Sequence, residues 1–164
     1  MLVLVLSGCV GESKAQFGEI PLPTIEPTPE AATDNALAQQ IAYGFGAGLG
    51  LAQVVESIAA FNEIPIEAGN ERTRAVIRVA YKMELAANTL AKLSDKVPAN
   101  MRAHYDEYLA PLAVQCNKAA LMMDTAAFEW TDKNVNGANM AVGVCYNRLA
   151  GYRTPEGEKT VFSQ

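Results

Sequence analysis

Any chemistry in this chain would have to be done with very few groups. His104 is the single histidine among 164 residues, with Asp106 nearby and Glu107 at the i, i+3 spacing that puts two side chains on one helix face. One imidazole and its neighbouring carboxylates are a thin basis for a metal site. Helical di-iron sites take a Glu-x-x-His pair from each of two helices plus further carboxylates, whereas here the order is reversed and the second histidine is missing. A haem held by His104 and Met83, Met122 or Met140 fares no better. Methionine at helical spacing is ordinary core filling, and the chain has no Cys-x-x-Cys-His attachment. Neither a Ser-His-Asp set, a Cys-His set nor a phosphate-binding Gly-rich motif can be assembled. The expectation is a noncatalytic protein without metal or cofactor, in which His104 is a solvated or capping residue.

The charge pattern narrows the partners. A formal net charge of −5 opposes binding to a phosphate backbone, which draws its affinity chiefly from Lys and Arg, so nucleic acid is not expected. Arg74, Arg78 and Lys82 nevertheless recur every four residues on one helix side. That stripe reads as a solvated face, with contact to anionic lipid head groups or an acidic partner as the alternative.

At the amino terminus an apolar run, Met1 to Leu6, leads into Leu6-Ser7-Gly8-Cys9. These four residues resemble the lipobox of bacterial lipoproteins, a branched apolar residue followed by two small residues and a cysteine. The resemblance implies that Cys9 carries a thioether-linked diacylglycerol and begins the mature chain, outside the cytoplasm in the periplasm or on the cell surface. Residues 1–8 then read as a truncated signal segment, because no Lys or Arg precedes Cys9. The alternative is an apolar N-terminus with an ordinary thiol. Residues 9–32 contain Pro21, Pro23, Pro27 and Pro29, which remove backbone donors and favour extended conformations. That segment reads as an acidic, disordered tether of the kind an anchored domain needs to stand off a membrane.

The remaining chain carries helical periodicity, and the expected fold class is all-α: an antiparallel four-helix bundle over residues 33–152, with 153–164 as a tail. Aromatic residues are only 7% of the chain while alanine is abundant, which favours closely packed helices over a β-sandwich. Thr33 or Asp34 can cap a first helix with a heptad seam at Leu37, Ile41, Gly44, Gly48, Leu51, Val55 and Ile58. A second helix opens near Asn70 and repeats at Val76, Val79, Met83, Ala86, Leu90, Leu93 and Val97, before Pro98 stops it. The third runs from about Pro98 to Trp130. Its stripe Met101, Tyr105, Tyr108, Leu112 resumes one residue displaced as Ala113, Cys116, Ala120, Met123, Ala127 and Trp130, which predicts a kink at Pro111. A fourth helix after Asn134 to Gly137 places Ala138, Val142, Cys145, Leu149 and Tyr152 on one face.

Two consequences follow from this layout. Cys116 and Cys145 lie on buried stripes of adjacent antiparallel helices and should form a disulfide in an oxidising compartment, with two buried thiols as the alternative. Four glycines, Gly44, Gly46, Gly48 and Gly50, stand in a helical segment free of charge from Ala36 to Val55. Gly44 and Gly48 fall on the seam and read as a close helix contact within the bundle. A membrane segment and a local helix break are the alternatives. The functional expectation is a lipid-anchored interaction or accessory subunit of a membrane complex, attached to the membrane and to a protein partner. A ligand-carrying bundle comes second and a small hydrolase third.

Overall fold

The computed structural model describes residues 29–65 and 67–158. Cys9 and the linker through Thr28 lie outside the described residues. Helix α1 spans Pro29–Asn62 and α2 spans Asn70–Ala91. Two short 3₁₀ turns, Ser94–Lys96 and Ala99–Met101, lead into α3, Arg102–His104. A π-helical turn, Tyr105–Leu109, joins α3 to α4, Ala110–Phe128, so that residues 102–128 form one continuous third rod. Helix α5, Asp132–Ala150, completes the bundle. The first helix thus starts before Thr33, since proline is well suited to a first helical turn.

The packing is antiparallel, as paired contacts show. Gly46 lies against Leu93 while Gly50 lies against Leu90, so α1 and α2 run in opposite directions. In the same way Cys116 meets Cys145 while Met122 meets Gly137 across α4 and α5. Helix α2 packs most extensively on α4 and also on α1, α4 packs on α5, and α1 touches α5 only lightly.

On α2 Val76, Val79, Met83, Ala86 and Leu90 are buried as its periodicity names, together with Ala80 and Ala87. The helix ends at Ala91, short of Pro98, so Leu93 is buried beyond it and Val97 is only half-buried. Charged residues occupy the other face, so only one rotation of this helix buries its apolar side. Helix α5 likewise buries Ala138, Val142, Cys145 and Leu149, and Tyr152 follows after the helix end. Its start differs from expectation. Thr131 Oγ1 accepts the Asn134 amide at 3.2 Å and caps the helix, so Asn134 to Gly137 lie inside α5. Ser57, the one buried polar residue among those described, donates to the Gln53 carbonyl one turn earlier at 2.7 Å.

Helix α1 departs from its expected seam. Tyr43, Ala47, Gly50, Leu51, Val54 and Ser57 are its buried positions. Of the expected seam Leu51 is buried and Val55 and Ile58 are half-buried against the core, whereas Leu37 and Ile41 are exposed. Gly44 and Gly48 make no close helix contact: a Cβ added at either would meet nothing within 4 Å. The glycines that do face α2 are Gly46, where a Cβ would stand 2.6 Å from Leu93 Cδ2, and Gly50, where it would stand 2.7 Å from Leu90 Cγ. A charge-free helix that is apolar nearly all round has several plausible seams, and the bulky Leu90 and Leu93 of the neighbouring chain segment select the one offering glycine beneath them.

The displaced stripe in the third rod has a related cause. Pro111 has no N–H to give to the Glu107 carbonyl, and just before it the chain widens into the π turn, which inserts one residue and rotates the buried face. Tyr105 and Leu109 are buried within that turn, and Leu112, Ala113, Cys116, Ala120 and Met123 after it.

Candidate functional site

Three features stand out on this framework. The first is the outward face of α1. Leu37, Ile41, Phe45 and Leu49 are 56%, 64%, 76% and 45% exposed, and they lie on the side of the helix turned away from α2. Gly44, Gly48 and Ala52 are exposed between them. From Asn35 to Ala42 every residue but half-buried Gln40 is exposed, so about 12 Å of helix precedes the first core residue, Tyr43. The segment Asn35–Asn62 has the length and mean hydropathy, 1.3, of a membrane-crossing helix, yet the same segment supplies Tyr43, Ala47, Leu51 and Val54 to the core.

The second feature is an aromatic cluster near the α1 N-terminal end. His104 donates from Nε2 to the Arg153 carbonyl at 2.7 Å, pinning the chain after α5 to the third rod. Its ring lies 5.2 Å from Tyr108 and 5.5 Å from Tyr152, centroid to centroid. His104 therefore ties the chain end to the bundle, and no group of three His, Cys, Asp or Glu positioned for a metal exists among the described residues. Tyr105 donates to the carbonyls of Leu90 and Ala91, each at 3.3 Å. The Tyr43 hydroxyl, buried close by, has no hydrogen-bond partner among the described residues. Burial, reinforced by the neighbouring Tyr152 and Tyr105, pushes its pKa up to about 12. Burial likewise raises Tyr105 and Tyr152. These shifts make the phenols poorer acids, the opposite of what proton transfer near neutral pH would need.

The third feature is a cavity of about 400 Å³ at the opposite end of the bundle, where all four long helices or their adjoining turns contribute walls. Val76, Met123, Ala126 and Ala138 form its buried floor. Phe61, Ile64, Pro65 and Val135 flank it, and Arg72, Trp130 and Asn139 bring the polar and aromatic groups. The Arg72 guanidinium sits 3.8 Å above the Trp130 ring centroid. The chain matches no family model, no curated protein and no solved structure.

The residues singled out by sequence distribute unevenly over these features. Cys116 and Cys145 are joined in a disulfide, both wholly buried and 5.2 Å apart between Cα atoms. Arg74 and Arg78 are exposed on α2, while Lys82 pairs with Glu56 of α1 at 2.5 Å, which shortens the basic stripe to two residues. Gly44 and Gly48 belong to the exposed face. Sequence reading passed over Tyr43, the Arg72–Trp130 stack and the contacts at Gly46, Gly50 and Gly137. The one available signal was that Trp130 is the only tryptophan, on a stripe that ends at a helix terminus.

Proposed function

We propose that this chain is a noncatalytic envelope lipoprotein. Cys9 holds it to a membrane, residues 9–28 tether it, and the bundle docks as an accessory subunit on a membrane-embedded protein through the outward face of α1, which begins at Pro29. The observation that carries this reading is the row Leu37, Ile41, Phe45 and Leu49. Single exposed apolar residues are ordinary, but a continuous row opposite a helix's own packing face marks an interaction surface. Gly44 and Gly48, with open space above them, leave the backbone accessible to a second helix, the arrangement by which apolar helices pack closely in membranes. Helix α1 also follows the tether in sequence, which keeps this face near the anchored end.

The test is photo-crosslinking in membranes of a bacterium expressing the chain behind a complete export signal. A crosslinker at Phe45 should form adducts with a membrane protein, and one at the exposed Arg78 should not. Phe45→Asp, at a position 76% exposed, should remove the partner while leaving thermal unfolding unchanged. Adducts with lipid alone would show that the face lies on the bilayer. Their absence altogether would show that it docks on nothing.

A further inference from the structure

We infer that the end cavity is a binding site for a small apolar monocarboxylate, such as a medium-length acyl chain. Its layout is amphipathic. The floor, made by Val76, Met123, Ala126 and Ala138, is almost wholly shielded from water and contains no polar side chain. The mouth is different: Trp130 is 43% exposed, Arg72 is half-buried and Asn139 is exposed. A ligand seated here places its apolar body inward and its polar end between a guanidinium and an amide.

The size and charge of the cavity set the class. A cavity of about 150 Å³ holds benzene, so by simple scaling 400 Å³ suits on the order of 15 non-hydrogen atoms. Among the described lining residues Arg72 is the one formal charge, and it is positive. Its planar fork matches a carboxylate, and stacking on Trp130 fixes the plane in which that fork is presented. The Asn139 amide supplies a neutral donor at the same mouth. A dianionic head fits less well, because Glu71 and Glu129 adjoin the stacked pair in sequence.

This site is separate from the docking face. It lies about 27 Å along α1 from Tyr43, measured to Phe61 at 1.5 Å per residue, and it shares none of the row from Leu37 to Leu49. The inference consequently stands or falls apart from the docking reading.

Trp130, being the only tryptophan, gives a site-specific signal. Decanoate titrated into the full chain should change its emission saturably, with one ligand per chain by calorimetry. Arg72→Gln should weaken decanoate by about tenfold, the loss of one charge-assisted hydrogen bond, and leave 1-decanol unaffected. Val135→Phe, which fills the mouth, should abolish both heats while the far-ultraviolet dichroism stays unchanged. If that variant does not fold, methyl shifts of Ala126 and Ala138 in the unaltered protein locate the ligand instead. The absence of saturable binding would overturn the inference. So would equal binding of decanoate and 1-decanol that Arg72→Gln leaves untouched, since the cavity would then be an apolar groove without carboxylate recognition. Ligand shifts confined to α1 would overturn it too.

Discussion

Alanine substitution at the four glycines of α1 should separate two registers that the sequence alone leaves open. In a helix interior, Gly→Ala gains roughly 0.8 to 1.0 kcal/mol wherever the added methyl meets nothing. Gly44 and Gly48 meet that condition, so Gly44→Ala and Gly48→Ala should each stabilise by about that amount, and together by about 2 kcal/mol. At Gly50 the same gain is opposed by a collision with the fully buried Leu90, whose Cγ would be 2.7 Å from the new atom. Overpacking of this kind costs about 1 to 3 kcal/mol, giving a net loss of about 1 kcal/mol. Gly46 should fall between, because its conflict is with the terminal Cδ2 of Leu93, which can swing aside. The assay is urea unfolding of the oxidised protein, comparing midpoints at constant m-value. The difference between Gly48→Ala and Gly50→Ala should be about 2 kcal/mol. Equal effects at the two positions, or stabilisation by Gly50→Ala with loss at Gly48, would refute the packing of α1 and restore the heptad seam read from the sequence.

Joint replacement of Cys116 and Cys145 by alanine should lower stability by roughly 3 to 4 kcal/mol, the chain-entropy value for a closed loop of 29 residues, measured by the same unfolding assay. Unreduced peptide mapping should recover a peptide joining them, and free thiols at both would contradict it. Tyr43 is neutral when protonated, and its folded pKa of about 12 lies above the ordinary 10.0, so the unfolded chain loses this proton first as pH rises. Its contribution is therefore fully present below pH 10 and is lost towards pH 12, by about 2 to 3 kcal/mol in all. Tyr43→Phe should remove part of that alkaline sensitivity and leave neutral-pH stability unchanged or raised by up to about 1 kcal/mol; an unaltered pH profile would contradict the assignment. Finally, Cys9→Ser behind a complete export signal should release the protein from membranes and end its labelling by a fatty-acid analogue. Retention would leave α1 itself as the membrane contact.

Sequence alone determined the all-α class, the faces of α2 and α5 and the pairing of Cys116 with Cys145, and it did so for one physical reason. Where charged and apolar residues alternate with helical period, only one rotation about the axis buries the apolar side, so the core positions can be read before any neighbour is known. The disulfide follows because both cysteines lie on such stripes. Pro111 announced the rotation in the third rod, although only the structure showed that a π turn accomplishes it.

Helix α1 marks where that reasoning ends. From Ala36 to Val55 it carries no charge, so no rotation is excluded by the cost of burying one, and several apolar seams compete. The choice fell to shape, with Leu90 and Leu93 seated over Gly50 and Gly46, and that left Gly44, Gly48 and the row from Leu37 to Leu49 facing outward. The end cavity was equally hidden from sequence. Its walls come from residues as far apart as Phe61 and Asn139, and no local pattern relates Arg72 to Trp130. Periodicity specifies which side of a helix seeks cover, but only the meeting of four helix ends decides where cover is incomplete and what charge stands at the opening.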